Sequence, residues 1–201
     1  MPSNILTVGH FTPSTTALGP GNRAAIWLQG CGKTCKGCAS PEFLSKIGGK
    51  DVEAGEFAAT IANFPDIQGV TISGGEPLDQ AGALQTFLIA LQHQRPNWTI
   101  IVFTGYTVQQ VVDDPDMNKL VSSGLIDVLI DGPFIEALNE NIGLRGSSNQ
   151  RVIYLSERLK SSQLETQSRI LQFEVNAGIA SLIGIPLKGL LEKLSMEVIN
   201  E

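Results

Sequence analysis

The sequence predicts an α/β fold in which helices cover a mostly parallel sheet, and three observations carry that prediction. Several short segments are apolar throughout rather than alternating, the pattern of strands buried on both faces. Segments with apolar residues spaced i, i+3, i+4, i+7 separate them, as amphipathic helices require. Glycines and polar residues follow the carboxyl end of each apolar segment, where ligands gather in such sheets. The chain has 201 residues, 42% of them apolar and 17% charged, so disorder, collagen and coiled coil are excluded. Its length suits one domain.

In chain order, Met1 to Leu6 shows no basic region followed by a sustained apolar run, so no signal peptide is expected. Ala24-Ala25-Ile26-Trp27-Leu28 reads as a strand that runs straight into three cysteines. Asp51 is the expected cap of a helix carrying Phe57, Ala58, Ile61 and Phe64 on one face. Gly69-Val70-Thr71-Ile72-Ser73 is a short buried strand. Asp79 then caps a helix with Leu84, Phe87, Leu88 and Leu91 inward. Trp98 to Phe103 is a further strand, ended at Thr104-Gly105. A broken helix follows, restarting at Asp114-Pro115 and stopping near Gly124. Ile126 to Ile130 is the next strand and ends at Asp131-Gly132-Pro133. Beyond residue 155 the pattern weakens: 156–168 is helical or loop, 170–175 a half-exposed strand, and 187–194 a short terminal helix. The apolar stretch 178–191 is broken by Pro186 and Lys188 and is too short to span a bilayer.

Twenty acidic against fourteen basic residues give a net charge of −6, which argues against nucleic acid as a partner. The composition and the missing leader fit a cytoplasmic protein, where thiols stay reduced for metal binding or catalysis. All three cysteines lie in Cys31-Gly-Lys-Thr-Cys35-Lys-Gly-Cys38, a C-x3-C-x2-C run. Thiolates that close on a loop suit zinc or an iron–sulfur centre. Structural zinc wants four ligands, commonly as two separated pairs, and the two histidines, His10 and His93, are remote in sequence. A cubane held by three cysteines keeps one iron open, an asset for a catalyst. A zinc site completed from afar, or reduced thiols packed by chance, are the plainer readings.

The C-x3-C-x2-C run resembles the signature of the radical S-adenosylmethionine (SAM) superfamily. Gly37 stands where that superfamily often has an aromatic residue, and Lys36-Gly37-Cys38 is similar to the activating proteins of anaerobic ribonucleotide reductase. Trp27-Leu28-Gln29-Gly30-Cys31, Pro41-Glu42, the segment from Ile126 to Phe134 and the segment from Leu144 to Arg151 carry the same resemblance, which runs from about residue 20 to 155. It implies one domain over residues 1–201, a partial (βα) barrel with the 156–201 tail as an extension of unassigned role. It also implies a [4Fe-4S] cluster on Cys31, Cys35 and Cys38, with SAM chelated at the open iron by its amino and carboxylate groups.

Ser73-Gly74-Gly75-Glu76-Pro77 then resembles the motif that receives the SAM amino group, although a tight strand-to-helix turn accounts for two glycines on its own. Gly74, Gly75 and Glu76 are the implied SAM contacts, Ser73 borders them, and the backbone of Gly37 and Ala39 around Cys38 is implied to pass the adenine. Thr104 and Asp131 sit where related enzymes meet ribose, carboxylate or substrate. Asp131 also reads as an Asp-Gly turn bonding its own backbone, and Arg145 and Arg151 are candidates to meet a substrate carboxylate or SAM, although arginines on a polar loop are more often solvated. The implied chemistry is reductive cleavage of SAM to a 5′-deoxyadenosyl radical that abstracts hydrogen from a glycine of a large glycyl radical enzyme. Flavodoxin or ferredoxin would donate the electron, and no membrane is involved. The other readings are a radical SAM enzyme acting on a small molecule or short peptide, and a non-enzymatic metal-binding or electron-transfer module.

Overall fold

The computed structural model describes residues 4–176, 179–190 and 193–194. Two long stretches open the chain: β1 (Ile5–Thr15) and β2 (Arg23–Leu28), which pair antiparallel. β3 (Lys50–Glu53) adds to the outer side of β1 and leads into α1 (Ala54–Ala62). β4 (Gly69–Gly74), α2 (Ala81–Gln94) and β5 (Thr99–Phe103) follow, then α3 (Val108–Asp113), α4 (Pro115–Val121) and β6 (Val128–Asp131). β7 (Arg151–Tyr154) closes a seven-stranded sheet of order β3-β1-β2-β4-β5-β6-β7. β8 (Leu171–Asn176) and β9 (Ile179–Gly184) form a separate antiparallel pair.

The four central strands β2, β4, β5 and β6 are parallel, and antiparallel neighbours flank them on both sides. Their residues alternate between two covered faces, which is why apolar residues dominate these segments. Ile26, Leu28, Ile72, Val102 and Leu129 face the helices α1, α2 and α4. Ala25 and Trp27 pack with Leu18, Phe43 and Ile183 on the other side, where Ile101, Val128 and Ile130 meet Leu144, Leu159 and Leu164. The second face is therefore covered by irregular chain and by the C-terminal segments. Among the described residues no helix is long and apolar enough to cross a membrane.

The strand and helix expectations from 24 to 130 correspond to β2, α1, β4, α2, β5, α3, α4 and β6. Two expected caps do not act as such. Asp51 lies within β3 and accepts a bond from Thr7 Oγ1, while Glu53 caps α1 by accepting from Glu56 N at 2.7 Å. Asp79 lies in a short 3₁₀ turn (Pro77–Gln80), so α2 starts without a side-chain cap. Asp114 does cap α4, accepting from Asp116 N and Met117 N. The 156–168 stretch is loop with one 3₁₀ turn, and the expected strand at 170–175 is β8. The expected terminal helix falls partly outside the described residues.

Arg23 is fully buried at the amino end of β2. Burial lowers its pKa to about 9, yet it stays charged at neutral pH. Its guanidinium donates to Thr71 Oγ1 (2.7 Å), Thr99 Oγ1 (2.9 Å) and the carbonyls of Val70 and Thr99 (both 2.8 Å), tying β2, β4 and β5 together. Arg23→Met leaves those buried acceptors without donors. It is expected to lower the unfolding free energy by about 2–4 kcal/mol, at about 1–3 kcal/mol per abandoned polar group after partial relaxation. A denaturant titration measures the loss; an unchanged midpoint would show the guanidinium to be dispensable.

Candidate active site

The parallel strands all present their carboxyl ends at one edge of the sheet, and the chain leaves each of them in a polar loop. β2 leads into Gln29 to Cys38, β4 into Gly74-Gly75-Glu76, β5 into Thr104-Gly105, and β6 into Asp131-Gly132. A cavity of about 520 Å³ opens there. Its lining includes all three cysteines and Gly37 and Ala39 from the first loop, Ser73 through Glu76 from the second, and Thr104 and Gly105 from the third. With Gly132 from the loop after β6, four segments far apart in sequence converge on one space.

The cysteine loop is irregular and its fold is set by backbone pairing. Gly30 N donates to Phe43 O (2.9 Å) and Cys31 N to Leu44 O (3.0 Å), while Cys38 N closes a turn on Cys35 O (3.3 Å). All three thiols are free and half-buried. Burial pushes the Cys31 and Cys38 thiols up, outweighing backbone N–H donors from Lys33 and Ser40 that favour the thiolate. Those donors aimed at sulfur suit a thiolate that a metal would hold deprotonated. Among the described residues no three His, Cys, Asp or Glu side chains converge on a single ion. A cubane does not ask for that, because each thiolate binds a different iron.

Glu76 is buried and its carboxylate is held by three donors. Oε1 accepts from Leu78 N (3.0 Å) and Thr104 Oγ1 (2.7 Å), and Oε2 accepts from Gly105 N (2.8 Å). A carboxylate offers about four acceptor positions, so one remains on Oε2. Burial raises the Glu76 pKa against the pull of these donors. Thr104 thus enters the site by orienting Glu76.

Gly74 and Gly75 have a reason that the sequence does not disclose. An added Cβ would lie 2.4 Å from Leu28 N at Gly74, and 2.2 Å from Gly30 O at Gly75. The glycines let β4 run backbone to backbone against the entry to the cysteine loop, so the protein itself already demands them.

Asp131 is placed differently from the other candidates. It does not line the cavity; its carboxylate accepts from Val108 N (2.8 Å), at the start of α3, and from Arg151 Nε (3.0 Å), with a second bond from the same guanidinium. The carboxylate is 1% exposed and the arginine side chain 59% exposed. Arg151, expected to be solvated, thus clips β7 to β6. Asp131→Ala should cost about 1–3 kcal/mol, chiefly by leaving the Val108 N–H without its acceptor, since the exposed guanidinium can return to water.

Sequence reasoning missed two further features. Lys33 lays its stem against Gly105 and its ammonium 3.4 Å above the Tyr106 ring centroid, while Tyr106 OH donates to Asp79 Oδ1 (2.6 Å). That chain of contacts fastens the cysteine loop to the turn after β5. The other is the contribution of residues 184–189 to the cavity wall, which no periodic pattern announces. His10 leans on Trp27 with ring centroids 5.3 Å apart, His93 is exposed, and Trp27 and Trp98 are core.

Comparison with known proteins decides the family. The family model "4Fe-4S single cluster domain" matches residues 17–153. An anaerobic ribonucleoside-triphosphate reductase-activating protein of Pasteurella multocida is 30% identical over 152 residues, covering 72% of this chain and 94% of that protein. The protein of the same description from Haemophilus influenzae is 32% identical, covering 70% and 93%. The Escherichia coli one is 28% identical, covering 73% and 97%. The chain belongs to the anaerobic ribonucleoside-triphosphate reductase-activating proteins. For this activating-protein family the [4Fe-4S] cluster is implied, and the donor set fits it: three free, half-buried thiols on one loop, with backbone N–H groups directed at sulfur.

Proposed function

We propose that the chain is a radical SAM activase that takes a hydrogen atom from a glycine of a partner anaerobic ribonucleotide reductase. One observation carries this reading: the three cysteines and the Ser73–Glu76 segment line the same cavity at the carboxyl edge of a parallel sheet. The names of the relatives support the partner. In this reading Cys31, Cys35 and Cys38 hold the cluster, and the whole chain is one domain whose sheet forms a partial barrel. When bound, the cluster and SAM supply one-electron cleavage of the C5′–S bond and a 5′-deoxyadenosyl radical.

The chain's own residues do the rest. The free acceptor position on Glu76 Oε2 receives the SAM ammonium, and the backbone around Gly37, Cys38 and Ala39 borders the adenine. Leu18, Trp27, Phe103 and Phe134 give the cavity apolar walls that exclude water and protect a radical from quenching. No side chain has to act as a general base, because the hydrogen leaves as an atom. The electron comes from flavodoxin or ferredoxin, in the cytoplasm.

The test uses anaerobically reconstituted protein, SAM, reduced flavodoxin and an anaerobic ribonucleotide reductase. SAM-dependent 5′-deoxyadenosine together with a glycyl radical signal on the reductase is expected. 5′-Deoxyadenosine without that signal would move the reading to a small-molecule or peptide substrate, and neither product would overturn it.

A further inference from the structure

Residues after 153 lie beyond the family match, yet they complete the cavity. Ile183 is buried against Trp27 and Phe43, and Ile185 packs on both apolar clusters of the sheet's second face. From the end of β9 the chain continues as an irregular strap, and residues 184–189 line the cavity together with the cysteine loop. Irregular backbone in such a place needs outside partners for its polar groups.

Arg169 supplies one of them. Nη1 donates to Pro186 O (2.9 Å) and to Asn139 Oδ1 (2.8 Å), Nε to Gly143 O (3.2 Å), and Nη2 to Arg145 O (2.6 Å). Among the described residues it makes no ion pair, so the guanidinium is spent on carbonyls and one amide. Asn141 Oδ1 takes a second bond from the strap, from Lys188 N at 2.6 Å. The strap is thereby tied to the loop 137–145 from two sides. Ile185, Pro186 and Leu187 give it an apolar inner surface. The cavity, of about 520 Å³, lies within the size range of pockets that take small-molecule ligands and cofactors.

We propose that the strap 184–189 is the wall that retains SAM beside the cysteines, with Arg169 as the positioning residue that holds it there. The proposal rests on the radical SAM reading above. It gives the C-terminal extension a role at the cofactor site of this chain, with the wall built from its own residues.

The test is SAM binding by equilibrium dialysis to reconstituted protein with the cluster oxidised, so that no turnover occurs. Wild type, Arg169→Met and Asn141→Gly are compared, with iron and sulfide content measured alongside. Trypsin cleavage after Lys188, followed by mass spectrometry, reads the strap directly. SAM is expected to slow that cleavage in the wild type. Both variants are expected to bind SAM about tenfold more weakly at unchanged iron content, the equivalent of about 1.4 kcal/mol. Should Arg169→Met lose iron, Asn141→Gly decides, because Asn141 is exposed and outside the cavity lining. Unchanged SAM affinity in an iron-replete variant whose strap is cut faster would overturn the wall while leaving the radical SAM reading intact. A wild type that holds iron and binds no SAM would overturn both.

Discussion

Replacing Cys35 with alanine is expected to abolish cluster retention and 5′-deoxyadenosine formation together, down to background. In the proposed assignment each of the three thiolates anchors a separate iron, so the loss of one exposes an iron to solvent and leaves the cubane held by two. The fold should survive the change. Cys35 is half-buried on an irregular loop, and its backbone carbonyl, which receives Cys38 N, is untouched by the substitution. Iron analysis, visible absorption and product formation read the first effect, and circular dichroism the second. Turnover retained by this variant would refute the ligand assignment.

Gly75→Val is expected to have the next largest effect, and by a route other than ligand contact. Gly75 N donates to Leu28 O (2.7 Å) and Glu76 N to Gly30 O (2.8 Å). A Cβ at Gly75 would stand 2.2 Å from Gly30 O and 2.7 Å from Phe43 O, both backbone atoms that cannot rotate away. The added bulk forces apart the three stretches that set the position of Cys31, at a cost of about 3 kcal/mol or more, the upper end of overpacking penalties. Thermal stability and iron content should fall together. Glu76→Gln is the cleaner probe of SAM. It keeps the packing but sets an amide where a carboxylate meets three donors, a mismatch costing about 1–3 kcal/mol. It should keep most of its iron and lose SAM affinity about tenfold or more, as a lost charge-assisted bond implies. Normal SAM binding in that variant would remove the carboxylate from the contacts.

The legible part of this protein is the part where one residue pattern has one physical cause. β2, β4, β5 and β6 are covered on both faces and so are dominated by apolar residues, with Arg23, Thr71, Thr99 and Asp131 among the exceptions, and α2 turns Leu84, Phe87, Leu88 and Leu91 to a single core. β1 was not legible. Its eleven residues mix buried and exposed positions irregularly, carry Gly9 and Pro13, and pair with register shifts. β3 has two exposed and two half-buried residues and reads as a helix start because its acids precede α1. At the site, the convergence of Cys31, Glu76 and Thr104 follows from strand ends alone. The roles of Gly74 and Gly75 do not, because a glycine admitting a ligand and a glycine admitting a neighbouring strand look the same in sequence. Arg151 and Arg169 were equally opaque, since their partners lie 17 or more residues away and only the fold brings them together.

The most direct measurement is electron paramagnetic resonance on the anaerobically reduced protein with and without SAM. The account predicts a [4Fe-4S]⁺ signal whose g values shift when SAM binds at the iron that Cys31, Cys35 and Cys38 leave open. A cluster whose signal ignores SAM, or a protein that holds zinc and no iron, would contradict it.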